Sequence, residues 1–319
     1  MQARAPRLLI VRRDNIGDLV CTTPLVAALR AKLPRAWIGA LVNSYNAEVL
    51  ARNPAVDEVF VYEKRKHRTR GLLRLALERV RLVAELRRRR LDAVLLAAPG
   101  APARRLAATL GASRILEPPA DGAGEPHEVE RTFALGRAFG IEGPPGRLEI
   151  FPDPAALERV RAKLGNSAPI AIHISARRRR QRWPAERYAA LARELARDCD
   201  VLLLWAPGAA DDPRHPGDDA AAAQVAGLAA NPRLLAFPTP DLATLVAALS
   251  FARLVVCPDG GAMHLAAALG KPVVALFGDS PVGRWRPWGV EHRIVQPGTH
   301  DLADLPLAPV LEAVRSLAR

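Results

Sequence analysis

A short loop in the last third of the chain carries residue types suited to holding a phosphate. The segment Pro258-Asp259-Gly260-Gly261-Ala262-Met263-His264 separates a β-branched apolar run from an alanine-rich run, which predicts a buried strand followed by a helix. We place Asp259 at the N-cap, and the two glycines leave the first helical amides uncovered. Such a helix start offers N–H donors and a positive dipole end to a phosphate or diphosphate, with His264 on the same face. A capped, packed helix with a core histidine is the alternative interpretation.

A second candidate residue is Asp18, which follows the first predicted strand. The loop 12–18 reads RRDNIGD, and Gly17 allows a tight turn before Asp18 opens a helix. Parallel α/β sheets bind ligands at the carboxyl ends of their strands. A carboxylate at this position can act as a general base, although an ordinary N-cap role is also open.

Three further loops follow predicted strands. Residues 177–182 carry five arginines after the strand at 170–174, which suits either phosphate contact or a solvated face. Asp211 and Asp212 follow the strand at 201–205, where an acidic side chain can bond ribose hydroxyls. The basic segment 64–70 follows the strand at 58–62 and is either an anion site or a solvated loop.

Several familiar motifs are missing from the sequence. Neither G-x-G-x-x-G nor the P-loop pattern occurs. The one D-x-D, at 198–200, falls where a helix ends and a strand begins, so we interpret it as a turn. No His and Cys set has zinc spacing. We therefore expect no metal and no cofactor apart from the substrates.

Alternating strands and helices must position these loops. Strands are predicted at 8–11, 36–42, 58–62, 91–97, 170–174, 201–205, 233–237, 254–257 and 273–277. Helices are predicted at 18–33, 72–88, 103–110, 185–197, 220–228, 242–250, 260–269 and about 308–317. The pattern predicts an α/β protein with two doubly wound parallel sheets. A linker rich in Pro and Gly at 142–154 divides it into domains 1–150 and 151–319, and the last helix could pack back on the first domain.

Composition limits the function classes. The 319 residues are half apolar, and 46 Lys and Arg against 33 Asp and Glu give a net charge of +13. Basic clusters suit nucleic acid, an anionic membrane or a phosphorylated substrate. Aromatic stacking platforms and nucleic-acid reading motifs are not evident, so we expect no nucleic-acid partner. No apolar run is long enough to span a bilayer, and three scattered cysteines fit a cytoplasmic protein.

The whole chain resembles glycosyltransferase family 9, the heptosyltransferases that build the inner core of bacterial lipopolysaccharide. The resemblance covers nearly the full length. It rests on three segments: Ile10-Val11-Arg12 with Asn15-Ile16-Gly17-Asp18, Arg182-Trp183-Pro184 with Arg187-Tyr188, and residues 259–270 leading into 272–278. It implies a GT-B architecture, in which two Rossmann-like domains face a central cleft. Domain 1–150 would then bind the acceptor and domain 151–319 the nucleotide-sugar.

The resemblance also implies an activity and a set of site residues. The reaction would be inverting, metal-independent transfer of heptose from ADP-heptose to a lipid-linked core oligosaccharide. It would take place at the inner face of the cytoplasmic membrane, on an anionic surface. Asp18 would be the catalytic base. The diphosphate would be held by Asp259, Gly260, Gly261, Ala262, His264, Arg180, Gln181 and Arg182, the ribose by Asp211 or Asp212, and the acceptor by Lys64, Arg65, Lys66 and Arg68.

One departure from the family pattern concerns Gln181, which stands where the family often has a lysine near the donor phosphate. A neighbouring arginine could substitute, or the donor could be held differently. Two alternatives therefore stay open. The same fold could use another nucleotide-sugar or a protein acceptor, or the chain could be a non-catalytic basic module that binds nucleic acid or anionic lipid.

Overall fold

The computed structural model describes residues 4–62, 72–120, 125–165, 167–212 and 217–318. The chain divides into two compact units, Met1–Phe151 and Pro152–Arg319. Each unit contains a parallel sheet, with five strands in the first and six in the second. The predicted α/β class with two parallel-sheet units is confirmed.

The first unit alternates strands and helices from its start. Its strands are β1 (Arg7–Val11), β2 (Trp37–Val42), β3 (Glu58–Val61), β4 (Ala93–Leu96) and β5 (Arg114–Leu116). Its helices are α1 (Ile16–Val20), α2 (Thr23–Lys32), α3 (Leu72–Arg88), α4 (Ala101–Leu110) and α5 (Glu128–Phe133). The strand order is β3-β2-β1-β4-β5. The order reverses between β1 and β4, and such a switch point is where parallel sheets open a ligand crevice.

Both faces of the first sheet are covered. Along β1, Leu8 and Ile10 belong to one hydrophobic cluster, whereas Leu9 and Val11 belong to another. Successive side chains of a strand point to opposite faces, so the two clusters lie on opposite sides of the sheet. This explains why β1 is a continuous apolar run.

The second unit follows the same plan. Its strands are β6 (Ile170–His173), β7 (Val201–Trp205), β8 (Leu234–Pro238), β9 (Leu254–Pro258), β10 (Val273–Leu276) and β11 (His292–Val295). Its helices are α6 (Pro154–Leu164), α7 (Ala185–Leu195), α8 (Asp219–Ala229), α9 (Leu242–Phe251), α10 (Gly261–Ala268), α11 (Val282–Trp285) and α12 (Leu307–Leu317). The order β11-β10-β9-β6-β7-β8 places its switch point between β6 and β9. The last helix, α12, contributes Val310 and Val314 to the core of this unit.

The predicted helix at 18–33 is wrong in one respect, because it is two helices. Pro24 has no N–H and cannot bond the carbonyl of Val20. The hydroxyl of Thr23 donates to that carbonyl instead, at 2.7 Å. Helix α1 therefore ends at Val20, and α2 starts afresh at Thr23.

The sequence pattern missed several short elements. These are β5, α5, α11 and β11, together with helix α6, which starts at the end of the predicted linker. Within the described ranges, no helix is both long enough and apolar enough to cross a bilayer.

Candidate functional site

A buried arginine organises the carboxyl end of β1. Arg12, only 2% exposed, donates from Nη2 to Asp18 Oδ1 at 2.8 Å, from Nε to Asp14 Oδ1 at 2.8 Å and from Nη1 to Glu128 Oε1 at 2.7 Å. Nη1 also donates to the carbonyl of Ala97, at the end of β4, at 3.0 Å. The guanidinium fork thus spans the switch point and holds three carboxylates at once.

The charges in this cluster are strongly coupled. Burial by itself lowers the pKa of the Arg12 guanidinium, but Asp14, Glu128 and Asp18 raise it above its ordinary value, so Arg12 stays charged. Burial and the nearby Asp18 raise the pKa of Asp14, and Arg12 counteracts them. The buried thiol of Cys21 has its pKa raised well above the usual range by burial.

Asp18 is placed differently from its neighbours in the cluster. Its side chain is 14% exposed, whereas that of Glu128 is 1% exposed. Within the described part of the chain, the Asp18 carboxylate is hydrogen-bonded by Arg12 alone, through Oδ1. Oδ2 can therefore accept a hydroxyl proton from a bound molecule.

Two asparagines after β2 fix the loop that carries Asp18. Asn43 Nδ2 donates to the carbonyl of Asp14 at 2.9 Å. Asn46 Nδ2 donates to the carbonyl of Asn15 at 3.4 Å, and its Oδ1 accepts from the amide of Asn43 at 3.0 Å. These buried amides hold the loop on a rigid sheet edge, which suits a positioned functional group.

At the carboxyl end of β9, helix α10 begins as an uncapped helix start. The N-cap is Gly260, with no side-chain cap, so the prediction that Asp259 is the N-cap is wrong. The first-turn amides of Gly261 and Ala262 therefore have no side-chain oxygen at the N-cap to accept from them. His264 is 2% exposed, and its ring meets that of Trp285 edge-on at 6.1 Å.

The Asp259 carboxylate is instead used in a buried bridge. Gln181 Nε2 donates to Asp259 Oδ2 at 3.0 Å and to Ser280 Oγ at 2.8 Å. Gln181 lies in the loop after β6, Asp259 after β9 and Ser280 after β10, so three loops meet at the switch point of this sheet. Gly278 allows the loops after β6 and β10 to approach so closely, since a Cβ at this position would collide with the carbonyl oxygen of Arg180.

The arginines near Gln181 differ in their partners. Arg182 Nη1 donates to Asp218 Oδ1 at 2.7 Å, and that carboxylate is 4% exposed. Arg180 is exposed, and the described residues offer it no ion-pair partner. Arg178 lies 3.9 Å from Asp279. The loop therefore presents guanidinium groups beside the start of α10.

Asp211 and Asp212 lie in the loop after β7, the first exposed and the second half-buried. A nearby acidic residue, Asp219, is held in place by hydrogen bonds. Its carboxylate accepts from Trp205 Nε1 at 2.7 Å and from the amide of Gly208 at 2.9 Å. The predicted acceptor residues Lys64, Arg65, Lys66 and Arg68 lie outside the described residues.

Sequence reasoning missed two buried polar groups beneath the Gln181 loop. His173, the last residue of β6, has a buried Nδ1, and Tyr188 of α7 has a buried hydroxyl; neither finds a partner among the described residues. Burial lowers the pKa of His173 to about 4, although Asp218 works against it. The imidazole is therefore neutral at pH 7.

Among the residues that the structure describes, no group of three or more His, Cys, Asp or Glu side chains is arranged to hold a metal ion. The D-x-D segment lies between α7 and β7, and Asp200 Oδ2 accepts from Ser167 Oγ at 2.7 Å. This places the segment at the amino end of the strand, away from the carboxyl edge where ligands bind.

Similarity to known proteins extends over both units. Residues 104–305 match the model of glycosyltransferase family 9 (heptosyltransferase). Lipopolysaccharide heptosyltransferase 2 of Salmonella typhimurium is 26% identical over 321 residues, which cover 91% of this chain and 88% of the relative.

Solved structures share the fold over nearly the whole chain. A glycosyltransferase family 9 protein of Veillonella parvula superposes with a TM-score of 0.86 at 19% identity, covering 99% of this chain and 98% of that one. An E. coli heptosyltransferase solved with ADP-2-deoxy-2-fluoro heptose gives a TM-score of 0.77 at 21% identity, covering 97% and 99%. The predicted GT-B fold class is confirmed.

Proposed function

The chain belongs to glycosyltransferase family 9, the heptosyltransferases, and from that premise we propose that it transfers heptose from ADP-heptose to a lipopolysaccharide inner-core acceptor. The observation that carries this proposal is the Arg12 cluster. It holds one oxygen of Asp18 and leaves the other available at the switch point of the first sheet. An E. coli relative of the same fold was solved with an ADP-heptose analogue, which supports the donor.

The proposed reaction is a single displacement that inverts the anomeric carbon. Asp18 takes the proton of the acceptor hydroxyl as its oxygen attacks C1 of the heptose. The bond from C1 to the phosphate oxygen breaks, and ADP leaves with the electron pair. General-base assistance of this kind contributes roughly 10²–10⁴ in rate.

The departing diphosphate needs positive charge and hydrogen-bond donors. We assign these to the first-turn amides of α10 and to Arg180, without a metal. The bridge from Gln181 to Asp259 and Ser280 fixes the loop that carries Arg180. In this proposal Gln181 shapes the donor site and Arg180 supplies the charge.

The partners follow from the same proposal. The first unit would bind the lipid-linked acceptor and the second unit the nucleotide-sugar. The net charge of +13 favours an anionic membrane surface, and in this proposal the enzyme works at the inner face of the cytoplasmic membrane.

The test of this function is transfer from ADP-heptose to truncated core acceptors by the wild type and by Asp18→Asn. The amide cannot take the proton, so we expect transfer to fall by about 10²-fold or more. ADP should still raise the melting temperature of the variant in the presence of EDTA, because Asp18 belongs to the other unit from the proposed donor site.

Asp198→Asn is the matched control, since it removes a carboxylate from the exposed D-x-D turn. It should leave transfer unchanged. Near-normal transfer by Asp18→Asn would show that the assigned base is wrong. Faster transfer from another nucleotide-sugar than from ADP-heptose would identify a different donor.

A further inference from the structure

Glu128 is the most buried carboxylate of the Arg12 cluster and comes from a helix far along the chain. It is the first residue of α5, and its side chain is 1% exposed. His127 and Glu130 form a capping box that fixes the start of this helix. The Glu128 carboxylate therefore approaches Arg12 from a rigid element.

The hydrogen bonds of Glu128 connect it to Arg12 and to Arg131. Oε1 accepts from Arg12 Nη1 at 2.7 Å and from Arg131 Nη1 at 3.4 Å. An uncompensated carboxylate at this depth would be strongly destabilising, so the two guanidinium groups are its necessary counterions. Arg12 cannot turn away from Glu128 without leaving it buried and poorly compensated.

Fixing Arg12 also fixes Asp18, because the guanidinium is a planar fork. Nη1 is held by Glu128 and by the carbonyl of Ala97, and Nε is held by Asp14. The direction of Nη2, and with it the position of Asp18 Oδ1, follows from the other bonds. Rotation of the Asp18 carboxylate is thereby restricted.

We propose that Glu128 is a positioning residue for the catalytic base and acts on Asp18 through Arg12. This inference rests on the proposed function, since it takes Asp18 to be the base. Glu128 does not contact the acceptor hydroxyl in this scheme. It sets the direction of Asp18 Oδ2 and adds a negative charge to the environment in which Asp18 works.

Two variants separate these effects. Glu128→Gln keeps the side-chain length and removes the charge. Fewer negative charges then oppose ionisation of Asp18. The other charged groups beside Asp18 are Arg12 and Asp14, and the nearby thiol of Cys21 is neutral. We expect the acidic limb of the kcat/KM profile to move to lower pH and kcat to fall by about tenfold, with both KM values unchanged.

Glu128→Asp keeps the charge and shortens the reach to Arg12. We expect its acidic limb to stay at the wild-type pH, while kcat falls by up to about 10²-fold because the base is less well aligned. Glu130→Gln is the matched control from the same helix, since glutamine also completes a capping box. Melting temperatures of all three variants show whether they are folded.

The outcomes decide between the proposals. If Asp18→Asn is inactive and both Glu128 variants match Glu130→Gln, positioning by Glu128 is overturned and the proposed function stands. The loss of kcat in Glu128→Gln could instead match the loss of folded protein, with the acidic limb at the wild-type pH. That result would show a purely structural role for Glu128 and would also overturn positioning. If Glu128→Gln does not fold, an unchanged kcat in Glu128→Asp would overturn positioning by Glu128. Transfer that survives in Asp18→Asn refutes the base itself.

Discussion

Asp18 and Glu128 are two carboxylates that bind the same arginine and differ in burial. Both are bound to Arg12, but Asp18 is 14% exposed and Glu128 is 1% exposed. Asp18 could be found from the sequence because it follows a glycine after an apolar strand. Glu128 could not, because nothing in its local sequence indicates a partner more than a hundred residues earlier in the chain.

His173 should make the stability of the second unit sensitive to acid. Its pKa in the folded protein is about 4, against 6.5 in the unfolded chain. The unfolded state therefore binds a proton between these values and the folded state does not, so stability is lost as the pH falls from 6.5 towards 4. Between about pH 7 and about pH 5 we expect a loss of about 2 kcal/mol from this residue.

Urea unfolding of the wild type and His173→Gln at both pH values measures this contribution. The glutamine variant should lose less stability on acidification than the wild type. His300→Asn, which replaces an exposed histidine at a positive φ that asparagine tolerates, should behave like the wild type. Equal acid sensitivity in all three proteins would show that His173 is not responsible.

At the scale of elements, the strongly periodic segments were predictable and the short ones were not. Helix α3 occupies the predicted residues, since seventeen residues carry a clear amphipathic pattern. Helix α5 has six residues and was missed. Helix α6 was also missed, although the sequence carries two signals of a helix start: Asp153 caps the helix and Pro154 begins it.

The Gln181 bridge depends on how closely two loops pack. A methyl group at Gly278 would displace the backbone of Arg180, which should pull Gln181 away from Asp259 and Ser280. We expect Gly278→Ala to weaken ADP binding by about tenfold, equivalent to about 1.4 kcal/mol. Calorimetric titration with ADP measures the change in Kd.

Gly298→Ala is the appropriate comparison, because a Cβ at that position meets no atom within 4 Å. Its affinity for ADP should equal that of the wild type. If both variants bind ADP equally well, the packing at Gly278 has no part in the donor site.

At the scale of the whole molecule, charge predicts behaviour that no single contact shows. Arginine and lysine exceed the acidic residues by 13. Vesicles that contain anionic phospholipid should therefore bind the chain, and binding should weaken as NaCl rises from about 0.05 to about 0.5 M, because salt screens surface charge. Sedimentation with the vesicles measures the bound fraction.

Vesicles of zwitterionic phospholipid are the control and should bind little of the protein. Equal binding to both kinds of vesicle, or binding that salt does not change, would contradict an electrostatic attachment. Preference for a nucleic acid over anionic vesicles at equal salt would favour the basic-module alternative.

The Arg12 cluster belongs entirely to the first compact unit, Met1–Phe151. Domains commonly fold as units, the amino-terminal one first, while the ribosome is still translating the rest. The nascent chain can therefore assemble the ion cluster around Asp18 before the Gln181 bridge has been synthesised. Biosynthesis would then complete the proposed proton acceptor before the proposed nucleotide site.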